Sequence, residues 1–175
     1  VIGQPVMHSL SPRLFGRFFQ SSGIHGSYSR IAADSPEEAI WLAQELGLRG
    51  MNVTMPYKQS LVRKTAVAGT EVHATGFLNT LVKSPAGWMA YNTDADGVVQ
   101  PLLARGIQPA RHRVLILGAG GAAAATVFAL RGRCRSLTLL NRSVPRAKNL
   151  AGSGGEIRVA MPENLHKEFK EHSIV

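Results

Sequence analysis

The sequence predicts an α/β protein with largely parallel sheets, divided into two domains. Three observations predict this class. Short apolar segments of strand length alternate with helical patterns along the whole chain, as they do when helices connect parallel strands. A glycine turn at residues 118–121 joins an apolar strand to an alanine-rich helix. Residues 106–113 separate that segment from an earlier part of different composition, and 45% hydrophobic residues are enough for a globular core.

The first domain is predicted to span residues 1–100. Ser35, Pro36 and Glu38 begin one helix, because serine caps the first turn, proline fits the first position and the acid completes a capping box. A Pro-Ala-Gly turn at 85–87 joins two apolar strands. The predicted strands lie at 1–2, 28–31, 51–54, 78–82 and 88–91. The predicted helices lie at 13–22, 36–46, beyond Pro56 without a definite end, and at 96–105.

The second domain is predicted to span residues 101–175 and to follow the same alternation. Its predicted helices lie directly after the glycine turn, from Pro145 onward, and at 163–171. Its predicted strands lie at 113–117, 137–140, 157–159 and 173–175. The chain starts and stops within predicted strands. We therefore expect it to be part of a longer protein, with the second domain truncated at its C-terminus.

The composition argues against several classes of function. No apolar stretch reaches the roughly 18 residues that a membrane span needs, so we expect a cytoplasmic protein that does not bind a membrane. The net charge is +9, and every charged residue between Asp96 and Glu156 is Arg or Lys, which fits a solvated basic face or an anionic ligand. Aromatic residues do not interleave with these basic residues, so nucleic acid is not predicted as a partner. Cys134 is the single cysteine and the histidines lack ligand spacing, so neither a disulfide nor a metal is predicted.

The glycine turn is predicted to hold a dinucleotide. Gly118, Gly120 and Ala123 have the spacing G-x-G-x-x-A. The first glycine allows the tight turn, the second lets the backbone approach the diphosphate, and the alanine lets the helix pack closely on the strand. The following helix would offer free N–H groups to the phosphates. An ordinary glycine-rich turn is the alternative, which the flanking strand, helix and second strand disfavour.

The expected cofactor depends on the residues that follow the second strand. Domains that bind NAD usually carry an acid there, whereas this chain has Asn141, Arg142 and Ser143, followed by Arg146. A guanidinium binds the 2′-phosphate of NADP, which an acid would repel. The sequence therefore predicts NADP, unless the two arginines are only exposed surface residues.

Polar residues concentrate at the ends of predicted elements in the first domain, where parallel-sheet proteins bind ligands. The segments are 8–12, 52–58, 78–80 and 91–94. Their hydroxyls, amides, amine and carboxylate suit a small polyhydroxylated substrate. A dehydrogenase that oxidises an alcohol needs an acid/base group, for which Lys58 is the candidate and Asp94 its charge partner. The alternatives are a surface lysine that begins a helix and an aspartate that caps one.

These segments resemble the motifs of the shikimate dehydrogenase family, and they follow the same order along nearly the whole chain. Residues 9–12 match the paired-serine motif, residues 52–58 the N-V-T-x-P-x-K motif and residues 92–94 the N-T-D motif. Residues 118–122 and 141–143 match the glycine loop and the N-R-T/S segment. The chain departs from the family pattern in having Phe77 and Leu78 before the Asn-Thr pair and Ala90 in place of a common glycine.

The resemblance implies an NADP-dependent shikimate dehydrogenase, which interconverts 3-dehydroshikimate and shikimate in chorismate and aromatic amino-acid biosynthesis. It implies a three-layer α/β substrate domain, a Rossmann-type cofactor domain and an active site in the cleft between them, in a monomer or a homodimer. Ser9 and Ser11 would bind the substrate carboxylate. Lys58 and Asp94 would form the catalytic pair and, with Thr54 and Asn79, contact the ring hydroxyls. The cofactor would contact Gly118, Ala119, Gly120, Gly121, Ala122, Asn141, Arg142, Ser143 and Arg146.

Other functions remain open at this point. Because Phe77 departs from the family pattern, a second hypothesis is a paralogue that oxidises quinate with NAD. The start of the chain within a predicted strand leaves open a dehydrogenase fused to a dehydroquinate dehydratase, and also a non-catalytic binding module.

Overall fold

Separate sheets with their own helices make up the two parts of the chain. The computed structural model describes residues 1–175, which divide into a first unit, Val1–Asn92, and a second unit, Thr93–Val175. Both units combine strands with helices, which confirms the predicted α/β class. The predicted division near residue 100 falls within a helix of the second unit, and the assignment of one domain to substrate and one to cofactor stays a prediction. None of the helices has the length and apolar character required to cross a membrane.

The elements of the first unit are short. Its strands are β1 (Ile2–Gly3), β2 (Ile31–Ala32), β3 (Gly50–Asn52), β4 (Val67–Ala68), β5 (Thr80–Ser84) and β6 (Gly87–Tyr91). Its helices are α1 (Ser11–Ser21), α2 (Pro36–Glu45) and α3 (Thr70–Thr75), with a 3-10 helix at Ser60–Lys64.

The sheet of the first unit is mixed. β1 and β2 pair in parallel, the other strands have the order β3-β5-β6-β4, and a parallel bridge between Ile2 and Val53 joins the two groups. β5 runs antiparallel to both of its neighbours. It must do so toward β6, because the short turn after Ser84 leaves no room for the crossover that parallel strands need. The carboxyl ends of β1, β3 and β6 and the amino end of β5 therefore lie at the same edge.

Helix α2 begins as the sequence predicts. The Ser35 hydroxyl accepts a hydrogen bond from the Glu38 N–H at 3.0 Å, with Pro36 in the first turn. The Glu38 carboxylate accepts from the Asp34 N–H at 2.5 Å, one residue before the partner expected in a capping box. The predicted start of α2 is therefore confirmed, except that Glu38 bonds to the N–H of Asp34 instead of that of Ser35.

Two predicted elements of the first unit differ from the structure. The helix of uncertain length expected beyond Pro56 is replaced by the 3-10 helix, β4 and α3, since Gly69 and the β-branched residues before it disfavour a continuous helix. β2 begins at Ile31 rather than at Tyr28, because β1 offers only Ile2 and Gly3 for pairing.

The second unit follows the predicted pattern closely. Its strands are β7 (Arg113–Leu117), β8 (Ser136–Leu140) and β9 (Ile157–Ala160). Its helices are α4 (Asp94–Ala104), α5 (Gly121–Leu130), α6 (Val144–Ala151) and α7 (Leu165–Glu171), with 3-10 helices at Pro109–Arg111 and Pro162–Asn164. The sheet has the order β7-β8-β9, all parallel, and Ile174 bridges Val114 on the other side of β7. This arrangement is the 3-2-1-4 strand order of a Rossmann fold, which confirms the predicted type.

Alternate residues of the parallel strands form the core of the second unit. Val114, Ile116 and Leu139 are buried in one cluster with Ala123 and Val127 of α5. Small residues on α5 let the helix lie close to the sheet, so the loop before it is held at the carboxyl end of β7.

Candidate functional site

Segments that carry predicted substrate residues meet at the shared edge of the first sheet, which we call the polar edge (residues 8–11, 54–58 and 78–80). The Thr54 N–H donates to the Ile2 carbonyl at 2.9 Å, which fixes Thr54 beside β1. The Leu78 N–H donates to the Lys58 carbonyl at 2.8 Å, and the Val53 N–H donates to the Asn79 carbonyl at 2.7 Å. Backbone hydrogen bonds thus bring Thr54, Lys58 and Asn79 together.

Gly3 is necessary for this arrangement. A Cβ atom at Gly3 would lie only 2.8 Å from the Met55 carbonyl oxygen and would overlap the Thr54 side chain. Because the obstacle includes backbone, a larger residue would displace the loop after β3.

The paired serines form a local turn. The Ser9 hydroxyl donates to the Ser11 hydroxyl at 3.1 Å and accepts from the Ser11 N–H at 3.3 Å. The half-buried Arg30 donates from Nε to the Ser9 carbonyl at 2.8 Å, which brings a guanidinium to the serine turn. Arg30 could not be identified from the sequence, since this contact joins the loop after β1 to the residue just before β2.

Lys58 follows a buried anchor. The Tyr57 hydroxyl donates to the Ala33 carbonyl, and burial, with the negative charges of Asp34 and Glu38, raises the pKa of Tyr57. Lys58 itself is half-buried and lies in the turn before the 3-10 helix. The buried tyrosine therefore fixes the backbone from which the candidate acid/base group extends.

A chain of side-chain hydrogen bonds leads away from Asn79 along the sheet. The Thr80 hydroxyl donates to Asn79 Oδ1 at 2.9 Å and accepts from Asn52 Nδ2 at 3.1 Å. Asn52 Oδ1 in turn accepts from the Tyr28 hydroxyl at 2.6 Å. Burial raises the pKa of the Tyr28 hydroxyl, and the Ser11 side chain acts in the opposite direction. From the sequence Tyr28 is predicted only as a strand residue, since its hydrogen-bond partner Asn52 is distant in sequence.

The N-T-D segment divides between the two units. Asn92 is 5% exposed, and its Nδ2 donates to the Phe77 carbonyl at 2.9 Å, so this asparagine supports the turn before Asn79. Asp94 is the first residue of α4, and Thr93 occupies the cap position that sequence analysis considered for Asp94. The pairing of Lys58 with Asp94 stays a prediction.

The glycine loop of the second unit has the backbone that its sequence requires. Gly118 has φ of +117°, a conformation that favours glycine, and its N–H donates to the Leu140 carbonyl at 2.8 Å. Gly120 caps α5, and the space around it is open, so a ligand can approach the backbone there. Ala123 is buried against the sheet, as the third position of the motif requires. The predicted strand, turn and helix are confirmed.

The loop that follows β8 lies beside the glycine loop. Leu117 pairs with Leu140, so the residues that follow each strand emerge side by side. Asn141 Nδ2 donates to the Ser143 carbonyl at 2.8 Å, which shapes the turn before α6. Arg142 and Arg146 are exposed, and the first turn of α6 contains no acid. This end of the sheet therefore combines free helix N–H groups with guanidinium groups, a combination that suits phosphates.

Comparisons with known proteins agree with this geometry. Residues 1–81 match the family model for the shikimate dehydrogenase substrate binding domain. The shikimate dehydrogenase (NADP(+)) of Acidiphilium cryptum is 39% identical over 100% of this chain and 64% of its own length. The crystal structure of shikimate 5-dehydrogenase from Thermus thermophilus, in complex with NADP(H) and shikimate, is 33% identical, with a TM-score of 0.83 over 95% of this chain and 63% of that one. The shikimate dehydrogenase of Aquifex aeolicus is 28% identical, with a TM-score of 0.86 over 95% of this chain and 64% of that one.

The likeness extends over both units, although the chain spans less than two thirds of each of these relatives (64% and 63%). Sequence identity, the substrate-domain model and the order of strands all indicate the same family. The chain is therefore similar to shikimate dehydrogenases over both units, and its first 81 residues match the family's substrate binding domain.

Proposed function

We propose that the protein is an NADP-dependent shikimate dehydrogenase, which catalyses the reversible reduction of 3-dehydroshikimate to shikimate in aromatic amino-acid biosynthesis. The observation that carries this proposal is the polar edge. There, one backbone hydrogen bond of 2.8 Å, from Leu78 to Lys58, holds the candidate acid/base residue beside Asn79 in a chain similar to this family. Shikimate is a small hydroxylated carboxylic acid, and the polar edge offers donors for both kinds of group.

The substrate carboxylate is assigned to the serine turn. Ser9 and Ser11 offer two hydroxyl groups, and the Arg30 guanidinium that holds the Ser9 carbonyl adds positive charge beside them. A nearby cation favours the ionised form of a bound acid. Thr54 and Asn79 are assigned to the ring hydroxyls.

The proton of the oxidised hydroxyl is assigned to Lys58, with Asp94 as its partner. As the hydride leaves carbon, the hydroxyl must lose its proton, and an amine positioned at that oxygen accepts it. NADP supplies the hydride acceptor when it is bound. In the reverse direction Lys58 returns the proton to the oxygen of the reduced product, while the carboxylate of Asp94 compensates the charge.

The second unit is assigned to the cofactor, and its residues fit NADP. Gly118, Ala119, Gly120, Gly121 and Ala122 would place backbone N–H groups and the start of α5 at the diphosphate. Asn141, Arg142, Ser143 and Arg146 would contact the 2′-phosphate, because the exposed guanidinium groups and the absence of an acid favour that anion. The relatives from Acidiphilium cryptum and Thermus thermophilus carry NADP in their names or complexes.

The test is a comparison of four pairs of substrate and cofactor, with purified full-length protein. We expect kcat/KM to be highest for shikimate with NADP and lower when quinate or NAD replaces either member. Preference for quinate would favour the quinate-oxidising paralogue. Preference for NAD would contradict the assignment of Arg142 to the 2′-phosphate. Absence of turnover with every pair would favour the binding module and overturn the proposal.

We expect a cytoplasmic enzyme with small-molecule partners, acting as a monomer or a homodimer.

A further inference from the structure

Arg30 is a half-buried cation that has no ionic partner, and it lies at the serine turn (residues 9–11). Its Nε donates to the Ser9 carbonyl at 2.8 Å, and it forms no ion pair with a carboxylate. Arg13, the arginine nearest to the turn in sequence, is exposed on α1. Because a partly buried charge is costly unless an opposite charge compensates it, Arg30 is suited to an anionic ligand.

The neighbours of Arg30 fix its backbone on two sides. The Ile31 N–H donates to the Val1 carbonyl at 2.9 Å, which ties the start of β2 to β1. Two residues before Arg30, the Tyr28 ring is stacked on Phe15 of α1, with centroids 4.3 Å apart. The guanidinium therefore extends from a fixed backbone, and its hydrogen bond to Ser9 fixes its inner end as well.

The charge of Arg30 is close enough to act on a ligand of the serine turn. The carbonyl and hydroxyl oxygens of Ser9 belong to one residue, so Arg30 Nε lies within about 8 Å of the hydroxyl, the Debye length at physiological ionic strength. The Ser11 hydroxyl lies 3.1 Å from that of Ser9. An anion bound to these hydroxyls is attracted by the guanidinium, whereas a neutral group bound there gains only hydrogen bonds.

We propose that Arg30 is a specificity-determining residue, through which the serine turn selects a carboxylate over a neutral group of similar shape. The inference rests on the proposed function, because that function assigns the substrate carboxylate to Ser9 and Ser11. It separates two contributions of one side chain. Nε positions the turn through the Ser9 carbonyl, and the positive charge discriminates between ligands.

The test compares shikimate with its methyl ester, a neutral analogue that keeps the ring hydroxyls. Steady-state kinetics of the full-length protein with saturating NADP would give kcat/KM for both compounds. Arg30→Gln keeps N–H donors for the Ser9 carbonyl and removes the charge. We expect the ratio of kcat/KM for shikimate to that for the ester to fall roughly tenfold, the effect of one charge at this range in a partly exposed site. The loss should appear in KM for shikimate and leave kcat unchanged, because the carboxylate is not the reacting group.

Three further variants separate the charge of Arg30 from its structural contact. Arg30→Lys keeps the charge, so the preference for shikimate should return to within about threefold of wild type. Arg30→Met removes both the charge and the donors, and it should lower the preference as Arg30→Gln does, which provides a second variant if Arg30→Gln does not fold. Arg49→Gln is the matched control, because Arg49 precedes β3 and lies at the end of that strand opposite the polar edge. It should leave the preference unchanged.

The outcomes decide between a role in specificity and a role in structure alone. An unchanged preference in Arg30→Gln, or equal losses for shikimate and the ester, would overturn the inference. An equal fall in Arg49→Gln would also overturn it, since the effect would then come from net charge and not from the position of Arg30. If wild type oxidises shikimate and the Arg30 variants keep its preference, the inference alone fails. If wild type oxidises neither compound, the proposed function fails with it.

Discussion

Lys58 and the serine turn show how residues of the polar edge are positioned by neighbours that are distant in sequence. The Lys58 turn is held by Tyr57, whose hydroxyl donates to the Ala33 carbonyl, and the serine turn is held by Arg30, which lies just before β2. The motifs could be read from the sequence because their residues are consecutive. Arg30 and Tyr28 could not be assigned in this way, since their contacts join segments that the sequence does not place side by side. Asn52 begins a motif, but the motif does not show its hydrogen bonds to Tyr28 and Thr80.

Replacement of Lys58 by alanine should lower kcat for shikimate oxidation by about 10²- to 10⁴-fold, because a positioned acid/base group contributes this much. Steady-state kinetics with saturating NADP would measure the effect. Lys83→Ala is the control, since Lys83 lies over the Trp88 ring near the other end of β5 and should leave kcat unchanged. Turnover at the wild-type rate in Lys58→Ala would refute the acid/base assignment.

Replacement of Arg142 by glutamine should weaken NADP binding by roughly tenfold to a hundredfold, because a hydrogen bond to a charged group is lost. Affinity for NAD should change little, as NAD has no 2′-phosphate. Arg133→Gln, at the opposite end of the sheet before β8, is the matched control. Equal losses for NADP and NAD would mean that Arg142 does not recognise the 2′-phosphate.

At the scale of elements, two kinds of interaction stabilise helices. The Ser35 hydroxyl caps α2, and an ion pair with the buried Glu168 carboxylate anchors α7: Arg158 Nη1 donates to Glu168 Oε1 at 2.9 Å, and its other amino group contacts Oε2. Next to this pair, His172 Nδ1 donates to the Glu168 carbonyl at 2.7 Å, and His172 Nε2 shares a hydrogen bond of 2.9 Å with the Thr138 hydroxyl. The cap was predicted because it is local, whereas the ion pair joins a strand and a later helix.

Ser35→Ala should lower the free energy of unfolding by about 1 kcal/mol, as the loss of a serine cap does. Urea denaturation, followed by a spectroscopic signal from the first unit, would measure this change in the free energy of unfolding. Ser153→Ala, in an exposed loop of the second unit, should have no comparable effect. A stability equal to that of wild type in Ser35→Ala would show that the cap contributes little to α2.

Acid should loosen α7. The hydrogen bonds from Arg158 hold the pKa of Glu168 below its ordinary range, although burial acts in the opposite direction. Because the folded pKa is the lower one, the pair stabilises the fold above the ordinary glutamate pKa, and this stability is lost as the pH falls through and below that value. Hydrogen-exchange protection factors of residues 165–171 should therefore fall in acid more than those of α5.

Glu168→Gln provides the control for this acid effect. It should reduce the protection of α7 already at neutral pH and make the remaining protection less dependent on acid. If the protection of α7 in wild type and in Glu168→Gln has the same pH dependence, the ion pair does not anchor the helix.

On the scale of the whole molecule, the two units differed in how well their sequences predicted them. β7 spans the predicted residues 113–117, because an apolar run of four residues directly before a glycine turn favours a strand locally. β2 and β4 have two residues each and exist only through pairing with β1 and β6, which no local pattern specifies. The motifs likewise located both ends of the predicted site in the chain, but not the hydrogen bonds that connect Tyr28 to Asn79.

Hydrogen–deuterium exchange of the full-length protein, with one ligand added at a time, tests the central claim most directly. We assign the cofactor to the second unit and the substrate to the first, together with Asp94 at the start of the second. NADP should protect residues 118–122 and 141–146, and shikimate should protect residues 9–11, 54–58 and 79–80. Protection by NADP confined to the first unit, or no protection of the polar edge by shikimate, would contradict the assignment of the two units.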